Sequence, residues 1–273
     1  MKSCVEIRAD ILDTYHNNYK SGIPMKEPIP CVCIIQVGNN PASNAYVRGK
    51  LNDCEYSGIK AYLRVYPESI TEQELIGEVK QTCNGSKFTG VIVQLPLPAH
   101  INAENVMKEI PPEKDIDGFN PESKYTACTP KGIMMFLDTN RIDLDGKHCV
   151  IINRSRIVGK PLINLFLGRN ATVTVCHSHT KNLAEITRQA DILVTAVGKE
   201  NFITQDMIKR DVIILDVGIT QDSAGKMCGD VAKDVECFYK TPVPKGVGLL
   251  TRTAFVLNCA ESKNYSKSGE RYV

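Results

Sequence analysis

The sequence predicts an α/β protein of two domains. Short apolar runs end in turns bearing glycine or proline, helix-spaced segments alternate with them, and one proline-bounded polar stretch divides the alternation into two series. At 273 residues the chain can give each domain its own core.

Val5, Ile7, Ile11, Leu12 and Tyr15 give Ser3 to Lys20 helical spacing, ended by Gly22 and Pro24. Cys31 to Val37 reads as a buried strand closed by Gly38-Asn39-Asn40-Pro41. A helix over Ser43 to Tyr56 closes at Gly58, and Ile59 to Tyr66 alternates like a strand. Thr71 to Thr82 is a helix with Thr71 as cap and Glu74 in the capping-box position. Gly90 to Leu95 is a buried strand stopped by Pro96 and Pro98. The polar run Ile110 to Pro121 is expected to cross between domains. A helix over Lys131 to Leu137 opens the second series. Strands are expected at His148–Ile152, Ala171–Cys176, Ile192–Val197 and Val212–Val217, with helices at Pro161–Leu167 and Leu183–Ala190. A polar tail from Glu261 to Val273 is expected to fray. The strand–helix alternation implies parallel sheets whose strand-ending turns gather at one edge, where open α/β sheets bind ligands.

Composition narrows the function. A hydrophobic content of 42% and charged content of 23% are those of a globular protein. The net charge of +2 gives no basis for a nucleic-acid-binding face. No segment approaches the roughly 20 apolar residues of a membrane span. Charges at Lys2, Glu6 and Arg8 interrupt the start too early for a secretory signal. The eleven cysteines include no Cys-x-x-Cys pair, so they read as free thiols of a reducing cytoplasm and not as a metal site.

Two places carry chemistry. After the strand ending at Ile152, the turn Asn153-Arg154-Ser155-Arg156-Ile157-Val158-Gly159-Lys160-Pro161 leads into a helix. N–H groups at such a helix start can face an anion, and Pro161 suits the first turn. The strict G-x-G-x-x-G pattern is absent, so a plain βα turn fits equally. The next strand ends in Cys176-His177-Ser178-His179 with no carboxylate for ribose hydroxyls, whereas Arg154 can grip a phosphate. That combination favours NADP over NAD. In the first series, Ser43, Tyr46 and Lys50 share one helical face. Alone they are also the pattern of a solvated face with a packed tyrosine. Tyr-x-x-x-Lys occurs in short-chain dehydrogenases too, but there it lies downstream of the nucleotide turn, and here it lies upstream. Gln94 closes a buried strand before Leu95-Pro96, and Asp117 sits in the crossing segment; a strand-end cap and a turn aspartate are the plain alternatives.

Together the segments resemble the bifunctional methylenetetrahydrofolate dehydrogenase/methenyltetrahydrofolate cyclohydrolase family from about Cys31 to Asn258. The matching motifs are Ala42-Ser43-x-x-Tyr46-x-x-x-Lys50, Gln94-Leu95-Pro96-Leu97-Pro98, Pro112-Glu113-Lys114-Asp115-Ile116-Asp117-Gly118-Phe119, Cys128-Thr129-Pro130, Arg154-Ser155-x-x-Val158-Gly159-Lys160-Pro161, Ala171 to Ser178, Asp216-Val217-Gly218-Ile219 and Thr241-Pro242-Val243-Pro244.

The resemblance implies a folate-binding catalytic domain over about 1–120 and a Rossmann-like NADP-binding domain over 121–249, with the active-site cleft between them. The segment from about 250 to 273 is expected to pack back on the first domain. Lys50 resembles the catalytic lysine, Tyr46 the ring that stacks on the folate, Gln94 the lysine's partner and Asp117 the pterin-holding carboxylate; Ser43, Leu95 and Pro96 complete the substrate contacts. Asn153, Arg154, Ser155, Val158, Gly159, His177, Ser178, Gly198, Gly218 and Ile219 stand as cofactor contacts, Ile219 beside the nicotinamide. The implied reactions are oxidation of 5,10-methylenetetrahydrofolate to the methenyl form with NADP, and hydrolysis of that form to 10-formyltetrahydrofolate. A place in purine biosynthesis, a cytoplasmic homodimer formed through the cofactor domain, and no metal are implied as well. Burial beside a neutral amide would favour an uncharged Lys50 amine as general acid/base.

Three departures stand out. Asn153 replaces a usual glycine, and its tolerance of left-handed backbone is expected to preserve the turn. Lys245 also replaces a glycine, and Leu249-Leu250 replaces Pro-Met. The altered 245–250 loop motivates a second reading, a cyclohydrolase with weak dehydrogenase activity. A non-catalytic folate- or nucleotide-binding module, and a Rossmann dehydrogenase of another substrate such as shikimate, are the readings from other classes.

Overall fold

The computed structural model describes residues 1–21 and 29–262. The expected helix stop at Gly22 and Pro24, and the tail beyond Ser262, lie outside them. The chain forms two compact units. One comprises Asp10–Cys128 with the residues from Arg252 onward, the other Met1–Ala9 with Thr129–Thr251.

The three-stranded unit is built on β1 (Cys31–Val37), β2 (Lys60–Tyr66) and β3 (Gly90–Val93), in the order β2-β1-β3 and parallel throughout. β1 is central, so both of its faces are covered, and its run of apolar residues is continuous instead of alternating. Cys33, Ile35 and Val37 share one face by the two-residue period and join Leu75, Val79 and Cys83 of α3 (Glu72–Asn84) in one core. α3 starts at the expected capping box: Thr71 Oγ1 accepts from the Glu74 N–H, and the Glu74 carboxylate accepts from the Thr71 N–H. α2 (Pro41–Tyr56) starts earlier than expected because the Asn40 side chain accepts from the N–H groups of Ala42 and Ser43. α1 (Cys4–Lys20) precedes β1, and the short α4 (Ala103–Lys108) comes after β3.

The stretch 110–121, expected to cross between domains, instead packs inside this unit. Asp115, Ile116 and Asp117 are buried, and Asp115 bridges to Val91 beside β3. Its polar sequence reflects buried polar chemistry rather than exposure to solvent.

The five-stranded unit contains α5 (Cys128–Thr139), β4 (His148–Ile152), α6 (Gly159–Leu167), β5 (Thr172–Cys176), α7 (Leu183–Thr187), β6 (Ile192–Thr195), β7 (Ile213–Asp216), an antiparallel pair β8 (Thr220–Gln221) and β9 (Met227–Cys228), and β10 (Tyr239–Lys240). Its sheet runs β10-β7-β6-β4-β5, all parallel. The chain leaves β4 to one side for β5 and then returns to the other side for β6. That reversal opens a crevice at the carboxyl ends of β4 and β6. The final helix, α8 (Val247–Ser262), contributes its turns from Arg252 on to the three-stranded unit.

Candidate active site and nucleotide edge

In the three-stranded unit, α2 carries Lys50 into the interior. The residue is 2% exposed and Asp117 is 5% exposed, so both charges have left water and must satisfy each other. Lys50 Nζ lies 3.3 Å from Asp117 Oδ1 and 3.1 Å from Oδ2. Two rings flank the ammonium, Phe255 of α8 with its centroid 4.8 Å away and Tyr46 at 5.5 Å. Lys50, Tyr46 and Asp117 thus lie together in this unit.

Gln94 makes no hydrogen bond to Lys50. Its Nε2 donates to the Leu95 carbonyl at 2.7 Å, and its Oε1 is buried with no partner among the described residues. The expectation of a neutral amide against Lys50 is thereby corrected: the lysine's neighbour is a carboxylate, because the 115–118 turn folds into the unit and aims Asp117 at α2. A buried acceptor without a donor is costly, by about 1–3 kcal/mol, and marks a position where a ligand donor would fit. Ser43 is buried one turn before Tyr46, and its Oγ donates to the Leu95 carbonyl at 3.5 Å, the limit of a hydrogen bond.

Several residues of this site gave no sequence signal. Asp115, two positions before Asp117, is 2% exposed and accepts from the Asn120 N–H at 2.8 Å. Burial, reinforced by the Asp117 charge, pushes its carboxyl up to about 6. Asn258 of α8 donates through Nδ2 to the carbonyls of Ile116 (2.9 Å) and Thr126 (3.0 Å), tying down the turn that carries Asp117. Asp53, one turn beyond Lys50, is clamped by Arg252 Nε at 2.8 Å. The helical spacing of Leu250, Ala254 and Phe255 could have revealed α8, but its partners across the chain could not be read from spacing.

In the five-stranded unit, the turn after β4 differs from expectation in its donors. Val158 N–H donates to Ser155 Oγ (3.2 Å), Gly159 N–H to Asn153 Oδ1 (3.1 Å) and Lys160 N–H to the Ser155 carbonyl (2.9 Å), while Pro161 has none. The helix start thus satisfies itself, and its N–H groups do not face outward for an anion. Asn153 achieves this with its side chain and not with left-handed backbone, since its φ is not positive. Oδ1 also accepts from Ser155 N–H at 2.8 Å, and Nδ2 donates to the Ala196 carbonyl at 2.7 Å, across the crevice between β4 and β6. The donors this edge leaves open to an anion are therefore side chains. Arg154 is exposed, and the Ser155 hydroxyl retains its proton to donate. At the end of β5, His177 Nδ1 accepts from the His179 N–H at 3.2 Å, and Ser178 is exposed. Gly198 and Ile219 are exposed on the loops after β6 and β7, and Gly218 is buried beneath them.

Among the described residues no group of three His, Cys, Asp or Glu side chains could hold a metal ion, and no helix is long and apolar enough to cross a membrane.

Both units have counterparts among known proteins. Residues 3–117 match the catalytic domain of tetrahydrofolate dehydrogenase/cyclohydrolase, and residues 127–267 match its NAD(P)-binding domain. The Bacillus anthracis bifunctional protein FolD is 44% identical over 246 residues, 86% of each chain. The crystal structure of the bifunctional FolD enzyme of Campylobacter jejuni superposes with a TM-score of 0.86 at 38% identity, covering 95% of both chains. A Trypanosoma brucei methylenetetrahydrofolate dehydrogenase-cyclohydrolase, solved with NADP and an inhibitor, superposes with a TM-score of 0.86 at 29% identity over 94% of each chain. A buried Lys50–Asp117 pair in one unit, a phosphate-suited strand edge in the other, and matches over nearly the full length lead to one conclusion: the chain belongs to the tetrahydrofolate dehydrogenase/cyclohydrolase family.

Proposed function

We propose that the protein oxidises 5,10-methylenetetrahydrofolate to 5,10-methenyltetrahydrofolate with NADP and hydrolyses the product to 10-formyltetrahydrofolate. The observation that carries the reading is the buried lysine–carboxylate pair of Lys50 and Asp117.

A pterin offers an amidine-like edge with two N–H donors, and one ionised carboxylate can accept both. Asp117 is that acceptor. Its oxygens keep lone pairs beyond those directed at Lys50, and engaging a pterin loosens its hold on Nζ. Lys50 then exchanges protons at the reacting centre as general acid/base. Tyr46 supplies an aromatic face for the folate, Ser43, Leu95 and Pro96 shape the surroundings, and Gln94 Oε1 accepts a donor of the substrate or its attacking water.

The nucleotide edge fits NADP by its donor set: Arg154, the Ser155 hydroxyl, His177 and Ser178 surround a strand end without a carboxylate. Asn153, Val158 and Gly159 build the turn, and Gly198, Gly218 and Ile219 form the loops for the nicotinamide end. NADP, when bound, accepts the hydride; the chain's residues hold and orient it. NAD is disfavoured, and no metal enters the scheme. A cytoplasmic homodimer supplying formyl groups for purine biosynthesis is part of the same proposal, supported by the family alone.

The test is a spectrophotometric assay with NADP and NAD, followed through to formyl product. Wild-type protein is expected to reduce NADP in preference to NAD and to consume the methenyl form. Lys50→Met should abolish hydrolysis, by about 100-fold or more for a lost proton-transfer group. Near-normal hydrolysis by that variant rules out the assigned role. NADP reduction also separates this reading from a cyclohydrolase of weak dehydrogenase activity.

A further inference from the structure

We propose that Asp230 is a positioning residue for the cofactor, holding the loops after β6 and β7 in their binding shape from beneath. The inference rests on the reading of those loops as the nicotinamide edge.

Asp230 is 0% exposed and lies after β9, outside every strand-end turn of the sheet. Its partners lie at the end of β6 and on the turn that follows it. Oδ2 accepts from Thr195 Oγ1 and from the Val197 N–H, both at 2.7 Å, and Oδ1 accepts from the Lys199 N–H at 2.8 Å. Between those two amides stands Gly198 with φ +73°, in the left-handed region that glycine tolerates. The carboxylate therefore closes the Val197–Lys199 turn from its buried side, and all three residues of that turn are exposed on the other. The loop after β7 rests on the same group. A Cβ on Gly218 would lie 2.1 Å from Asp230 Oδ1, so only glycine lets the backbone approach this closely. Asp216, at the end of β7, completes the arrangement: Oδ1 accepts from the N–H groups of Gly218 (3.0 Å) and Asp230 (3.1 Å), and Oδ2 from that of Val231 (3.0 Å).

A buried carboxylate needs several donors, but a stable core has cheaper ways to join two strands. Here two of the three donors are main-chain amides of an exposed turn. Charge-assisted bonds fix such amides more firmly than neutral ones, and a prearranged loop loses less entropy when ligand binds. The arrangement suits ligand positioning more than it suits holding the core together.

Asp230→Asn tests this in the full chain, because it converts one acceptor oxygen into a donor facing an N–H or O–H. The Kd for NADP is expected to rise by about 10-fold or more, the worth of one or two lost charge-assisted bonds. Methenyltetrahydrofolate hydrolysis should stay within about twofold of wild type, since its machinery surrounds Lys50. Thr195→Val removes one bond yet leaves both loop amides held, so its Kd should rise by less than about threefold. Proportional loss of both activities at unchanged Kd would mean a purely structural role and overturn the proposal, as would equal effects of the two variants. Hydrogen exchange on the wild-type protein needs no variant to fold: the Val197 and Lys199 amides should be protected without NADP, and free-chain exchange there refutes the inference. Wild-type protein that neither binds nor reduces NADP overturns the cofactor reading itself, and this inference with it.

Discussion

Lys245 passes through backbone that side-chain-bearing residues avoid, with φ +73°, and its side chain is exposed. The left-handed conformation costs an L residue roughly 1–2 kcal/mol, and no hydrogen bond or ion pair at this lysine offsets it among the described residues. Lys245→Gly is therefore expected to stabilise the protein by about 1 kcal/mol, after the extra backbone entropy glycine loses on folding is subtracted. Urea titration measures it; an unchanged or lower midpoint would show that the strain is relieved elsewhere. The residue was visible in the sequence as a departure from a glycine position, and Lys50, Tyr46 and Asp117 were visible as a helical face and a motif. Asp230 was not: an aspartate after a glycine looks like any turn, and its three donors come from residues 31 to 35 positions away. Gln94 entered through the family resemblance as the partner of Lys50; its own hydrogen bond, to the carbonyl of the next residue, is not one that spacing could show.

At the scale of elements, periodicity located every strand of four residues or more: the buried β1, β3, β4, β6 and β7 read as apolar runs, and the exposed edge strand β2 read by its alternation. It missed β8, β9 and β10, each of two residues, which exist only through their partners. It also missed α8 as a helix, although that helix supplies the floor of the lysine site. The Asn258 amide on α8 is buried and donates to two carbonyls, that of the buried Ile116 and that of Thr126. Asn258→Ala leaves both carbonyls without that donor, at an expected cost of about 2–3 kcal/mol. Because one of them belongs to the residue before Asp117, the variant should also raise the KM for methenyltetrahydrofolate, while Kd for NADP stays as in wild type. A loss of stability with unchanged KM would mean that α8 braces the unit without positioning the carboxylate.

In each unit burial holds a carboxyl above its ordinary range, Asp115 in the three-stranded unit and Asp216 in the five-stranded one. Burial pushes each up to about 6 from an ordinary value of 3.8, with the neighbouring Asp117 and Asp230 charges adding to the rise. Backbone donors from Asn120, and from Val231, Asp230 and Gly218, pull the other way without cancelling it. Between those two pH values the folded chain holds protons that the unfolded chain has released. These groups therefore make stability fall as pH rises from about 4 to 6, and contribute a constant penalty above about 7. Asp191, held low chiefly by Lys209, works in the opposite sense, but its contribution is lost only as pH falls through a value below 3.8. The two windows barely overlap, so acidification from pH 7.5 to 5 should first stabilise the protein, by on the order of 1 kcal/mol per buried acid, before the low-pH loss begins. Asp115→Asn and Asp216→Asn should each flatten part of this rise. Urea midpoints that decline steadily from pH 7.5 to 5 in wild type would mean that both carboxyls stay ionised throughout, stabilised by donors beyond those named.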